Sequence, residues 1–129
     1  MPPAEQLIRS VWSAIDRQDA SALHDLIDPE AMLEMAMARG EAIRGRDAVL
    51  ATLAEAWRHV HSLSIAELHP LTDDAVIVEG RSRYPVETGG FADTGLVWLC
   101  EFRDGMLRRQ RLFSSLADAR AGWSAVVES

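Results

Sequence analysis

Residues 96–115, Leu-Val-Trp-Leu-Cys-Glu-Phe-Arg-Asp-Gly-Met-Leu-Arg-Arg-Gln-Arg-Leu-Phe-Ser-Ser, decide the fold. They read as two long strands joined by a tight turn at Asp104-Gly105, because Gly takes positive φ without steric cost and Asp tolerates it better than most residues. The aromatic and large apolar content on both sides of the turn belongs in the middle of a sheet.

Working outward, the same period of two governs everything from residue 62. Ser62–Leu71, Ala75–Val86, Phe91–Phe102 and Met106–Ser114 are predicted strands. Asp73-Asp74 and Glu87-Thr88-Gly89-Gly90 supply the remaining turns, so the four strands form an antiparallel meander. Leu116–Val127 is a tail with some helix. Upstream the period is helical: Leu7, Ile8, Val11, Trp12 and Ile15 share one stripe behind Pro2-Pro3. Asp19 is the expected N-cap of a short second helix carrying Leu23, Leu26 and Ile27, which Asp28-Pro29 ends. Glu30–Met37 has helix-favouring residues but lies between a Pro break and Gly40, and is read as a strand. Glu41–Arg44 is a short strand, and Gly45 opens a third helix with Val49, Leu50, Leu53 and Trp57 along one stripe.

Composition narrows the function. One domain spanning residues 1–129, 48% hydrophobic, has enough apolar material for a core. A net charge of −7 disfavours nucleic acid and anionic membranes as partners. All thirteen basic residues are Arg, so Schiff-base lysine chemistry and a phosphate-loop lysine are excluded. The single Cys100 fits a reducing compartment. With neither a signal-peptide pattern at the start nor an apolar run of membrane-spanning length, a soluble, cytoplasmic protein is expected.

Three stretches, in this order, resemble the SnoaL-like, nuclear transport factor 2-like superfamily that includes ketosteroid isomerase. They are the helix opener Ile43-Arg44-Gly45-Arg46-Asp47-Ala48-Val49, the hairpin Glu101–Leu107, and the closing strand into Phe113-Ser114. The resemblance implies an α+β cone-shaped barrel: a curved, mostly antiparallel sheet with three N-terminal-half helices packed on its concave face. It also implies a pocket between sheet and helices, and a homodimer through the outer sheet face. Counted from Gly45, the isomerase's general-base Asp position falls on or beside Ala36. Counted from Phe102, its proton-donating Asp position falls on Trp98. The oxyanion-binding Tyr falls near Val11 and Trp12, and the cyclase Asp position holds Ser114-Ser115. None of those acids or hydroxyls is retained, and the Asp–Arg–Asp relay of epoxide hydrolysis cannot be assembled from the sequence.

If Ala36, Trp98 and Ser114 face inward, alternation puts Met32, Glu34, Leu96, Cys100, Gln110 and Leu112 inward as well. The candidate ligand-binding residues are therefore Trp12, Met32, Trp57, Ser82, Tyr84, Trp98, Cys100, Gln110, Leu112 and Ser114. Glu34 among methionines is the candidate catalytic base; the opposing reading slips the strand by one residue and turns Glu34 to water. Arg109 and Arg111 belong on the outer face, pairing with acids. No cofactor is implied, and His24, His59, His61 and His69 show no recognisable metal-ligand spacing. Three readings stay open: a protein binding a small, largely apolar or aromatic molecule; an isomerase, cyclase or lyase using Glu34; and a non-catalytic dimeric scaffold.

Overall fold

The computed structural model describes residues 2–35, 42–57 and 62–128, with the side chains of Met35, Ala56, Trp57, Ser62, Leu63, Tyr84, Asp93 and residues 125–128 outside the description. Helix α1 (Ala4–Asp16) starts directly after Pro3, whose backbone is extended, and buries Ala4, Ile8, Val11, Trp12 and Ile15. That recurrence at three and four residues is the apolar stripe of the sequence, now against the sheet. The Ala4 N–H donates to the Asp73 carbonyl at 2.7 Å, which ties the helix start to a sheet turn. Asp19 caps α2 (Ala20–Leu26) by accepting from the Ala22 N–H at 3.0 Å.

Strand β1 (Ile27–Met35) follows α2 without a loop, and the two-residue β2 (Ile43–Arg44) pairs with it antiparallel. Gly45 sits at φ +94, in the left-handed region that favours glycine, and its N–H donates to the Ala31 carbonyl as α3 (Arg46–Trp57) begins. Then come β3 (Ser62–Thr72), β4 (Ala75–Pro85), β5 (Phe91–Arg103) and β6 (Met106–Phe113), and finally α4 (Leu116–Glu128). At the β5–β6 turn Asp104 and Gly105 both have positive φ, the combination a two-residue hairpin of this hand requires.

The six strands lie in the order β2-β1-β6-β5-β4-β3. The meander expected from the turns is present, and β1 joins its far edge parallel to β6. One face is covered by α1–α3 and carries the main core, with Leu33, Val76, Val78, Cys100, Phe102 and Leu107 packed against Ile8, Val11, Trp12 and Leu23. The other face is partly covered by α4, where Ile77 and Leu99 meet Ala119, Phe113, Leu116 and Trp123. The C-terminal tail is thus a full helix with its own small core.

Two inward assignments are corrected by the pairing. Met32 is opposite Arg109 and Glu34 opposite Arg111, while Leu33 is opposite Gln110. Leu33 belongs to the main core, so Met32 and Glu34 point to the outer face, one residue out of step with the alternation carried back from Ala36. Ala36 itself lies outside the described residues. Ser114 also leaves the inward set: it follows the end of β6, is exposed, and its hydroxyl donates to Asp118 Oδ2 at 2.8 Å beside the start of α4.

Candidate functional site

The helix-covered face is organised as rows running across the strands. One row joins Leu33, Gln110, Cys100 and Val76; the next joins Leu112, Trp98 and Val78. Gly80 follows on β4, then Ser82, and partners in a row are about 4.8 Å apart. The Trp12 ring lies over Gly80: a Cβ there would stand 3.1 Å from Trp12 Cζ2 and 3.2 Å from the Ser64 carbonyl oxygen. The glycine therefore lets the indole settle on the strand.

This face is apolar with a few polar atoms set into it. Ser82 and Gln110 are buried, and Trp12 is buried with its indole N–H lacking an acceptor. Cys100 is fully buried, and desolvation, followed by the nearby Glu101 charge, pushes its thiol far above the ordinary range. It is a packed thiol and no nucleophile at neutral pH. Among the described residues this face carries no carboxylate or imidazole in its core. The described part of this face is an apolar surface with a hydroxyl, an amide and an indole N–H set into it.

The expected residues thus separate into groups. Trp12, Ser82, Trp98, Cys100, Gln110 and Leu112 share the helix-covered face. The backbones of Trp57 and Tyr84 lie in α3 and β4, and their side chains, like His59 and His61 altogether, are outside the described residues. Met32, Glu34 and Ser114 lie elsewhere. Glu34 is held by Arg109 in a two-pronged ion pair, Nε to Oε1 and Nη2 to Oε2, both at 3.1 Å. The apolar setting expected for Glu34 is replaced by this pair. Arg109 and Arg111 do stand on the outer face, and Arg109 also approaches Glu101 at 4.0 Å.

Sequence reasoning overlooked two polar clusters. Asp28, buried beside its proline, accepts from the Glu30 N–H at 2.8 Å and from the Arg103 guanidinium at 3.2–3.3 Å. Burial alone would raise its pKa, but those hydrogen bonds and the Arg103 charge outweigh it and hold the carboxyl below its ordinary value. The Asp-Pro break was legible; a partner 75 residues away was not. The second cluster joins Glu67, His69 and Glu79, brought together by the β3–β4 ladder. The alternation of acid and imidazole in Glu67-Leu-His69 was the available signal.

The family model described as SnoaL-like domain matches residues 8–110, most of the chain. The chain belongs to the SnoaL-like domain family. No curated protein matches its sequence. Among solved structures, this SnoaL-like chain is similar to Rv0760c from Mycobacterium tuberculosis in complex with estradiol-17β-hemisuccinate, with a TM-score of 0.75, 17% identity, and coverage of 91% of this chain and 97% of that one. It is similar to a hypothetical protein of ketosteroid isomerase-like fold from Catenulispora acidiphila in complex with trimethylamine (TM-score 0.70, 15% identity, 90% of each chain). A third likeness is an NTF2-like protein of unknown function from Burkholderia pseudomallei (TM-score 0.69, 18% identity, 88% and 92% covered). At these identities the likenesses carry the fold, the NTF2-like cone, in which the helix-covered face is the concave one.

Proposed function

We propose that this SnoaL-like protein binds a small, largely apolar molecule with a flat aromatic or steroid-like skeleton on the concave face of its sheet. The observation that carries the reading is the buried Trp12 indole N–H without an acceptor, on an apolar face that also holds Gln110 and Ser82. Leaving such a donor unpaired costs about 1–3 kcal/mol, which an acceptor on a ligand would recover once the side chains enclosing the indole N–H part to admit it. Trp98, Cys100 and Leu112 supply apolar wall, the usual makeup of a small-molecule site. The complex of Rv0760c with an estradiol derivative supports a ligand of this size on the same fold. A general-base role for Glu34 gains no support, because Arg109 occupies that carboxylate on the opposite face. A reducing, cytoplasmic setting suits the single buried thiol.

A homodimer through the outer face is part of the same reading. Arg111 is buried there with its Nε and Nη2 lacking acceptors, and Glu101 Oε2 is buried without a hydrogen bond, its ion-pair partner Arg109 standing 4.0 Å away. A second subunit would pair the Arg111 nitrogens only if the guanidinium turns outward on association, because neither is accessible in the single chain, where an unpaired charge is costly. The binding test is tryptophan fluorescence and thermal shift with estradiol-type and planar aromatic probes. Saturable quenching with a raised melting point, weakened in Trp98→Ala, is expected. No shift with any probe at its solubility limit would overturn the proposal.

A further inference from the structure

We propose that Glu67, His69 and Glu79 form a binding site for a first-row divalent cation of the Zn²⁺ type, on the outer face of the sheet and independent of the concave site. The β3–β4 register puts Glu67 directly opposite Glu79, and His69 opposite Ile77, one step along the same face. Their ligand atoms lie within 4.8 Å of one another: His69 Nε2 is 2.9 Å from Glu79 Oε2 and 3.9 Å from Glu67 Oε2. Two carboxylates facing each other across a ladder repel, and are tolerated best when a cation stands between them.

The spacing suits an ion. Donors about 2.0–2.2 Å from a tetrahedral Zn²⁺ stand roughly 3.3 Å from each other, between the two separations found here. Inserting an ion means opening the His69–Glu79 contact from 2.9 Å, drawing Glu67 in from 3.9 Å, and displacing any proton on His69 Nε2. His69 is mostly buried (17% exposed) and supplies the fixed nitrogen, while Glu67 at 65% is free to swing in. One imidazole and two carboxylates, with no thiolate, match Zn²⁺, Mn²⁺ or Fe²⁺ and not Cu(I). Both carboxylates also line an open groove of about 490 Å³ that reaches Ser115 and Leu116 at the start of α4. Three protein ligands and an open groove leave a coordination position for water.

Arg120 and the groove's Arg81 oppose a divalent ion, so neutralising Arg120 should tighten binding.

The experiment is calorimetric titration of the chelator-stripped, full-length protein with ZnCl₂, repeated with CoCl₂ while recording visible absorption. One saturating equivalent and a cobalt d–d band are expected. Glu67→Gln and His69→Ala should each weaken binding about tenfold or more and remove the band, and Arg120→Ala should strengthen binding. Glu67→Gln changes an exposed side chain, so it separates ligand loss from misfolding, with circular dichroism as the check. Absence of saturable binding up to millimolar Zn²⁺, or equal binding by a His69→Ala/Glu79→Gln double variant, would overturn the site. Either result leaves the concave-face proposal untouched.

Discussion

Gly80, Gln110 and Asp28 show how much rests on single positions. Gly80 is set by proximity: the added methyl of Gly80→Ala would meet both the Trp12 ring and the Ser64 backbone, which has no freedom to withdraw. The substitution is expected to cost about 1–3 kcal/mol in urea unfolding and to weaken ligand binding through the displaced indole. Gln110→Leu should act the other way round. It removes a buried polar group without loss of stability, while lowering affinity for an oxygen-bearing probe by about 1 kcal/mol, roughly fivefold. Asp28 gives a pH prediction. Its folded-state pKa is held below the ordinary value of 3.8, so its stabilising contribution is complete above that value and fades as pH falls through the lower, folded-state pKa. Asp28→Asn should therefore destabilise the protein by about 1–3 kcal/mol at pH 7, and the gap from the parent should narrow at pH 3. A gap that stays constant across that range would refute the linkage.

At the scale of elements, α4 makes the sharpest test. Ala is normally preferred to Gly within a helix by about 1 kcal/mol. At Gly122, however, a Cβ would stand 2.6 Å from Phe113 Cζ, and the Phe113 ring is held between α4 and the Arg111 guanidinium, which lies 5.6 Å from its centroid. Contact should outweigh propensity, so Gly122→Ala is expected to lower the melting point by a few degrees. Adding Phe113→Leu should restore part of the loss, and strict additivity of the two changes in a double-mutant cycle would reject the contact. The strands and helices themselves were largely legible, since period, turn residues and caps act locally. The β5–β6 hairpin followed from Asp104-Gly105 and the start of α2 from Asp19, whereas Ile27, expected on α2, opens β1, and Pro29 lies inside that strand. Strand β1 was the difficult element: its residues favour helix, and its place beside β6 decides which of its side chains face inward.

For the molecule as a whole, the two faces of the sheet have separate work. The concave face is proposed to hold a ligand, and a probe at a hundred times its Kd should stabilise the fold by about 2.7 kcal/mol, read as a rise in melting point. The outer face is proposed to carry the metal site and the dimer seam. Sedimentation should give a dimer whose dissociation becomes easier in Arg111→Ala, and a monomeric parent at micromolar concentration would refute the seam. Residue types and their spacing, by themselves, determined the class of fold, the meander, the helix starts at Ala4 and Ala20 and the family resemblance, because these rest on signals a few residues apart. Tertiary structure alone decided that β1 runs parallel to β6, that Glu34 pairs with Arg109, and that Glu67, His69 and Glu79 meet. Those outcomes hinge on a one-residue register between strands distant in sequence, and a shift of one exchanges the two faces of the sheet.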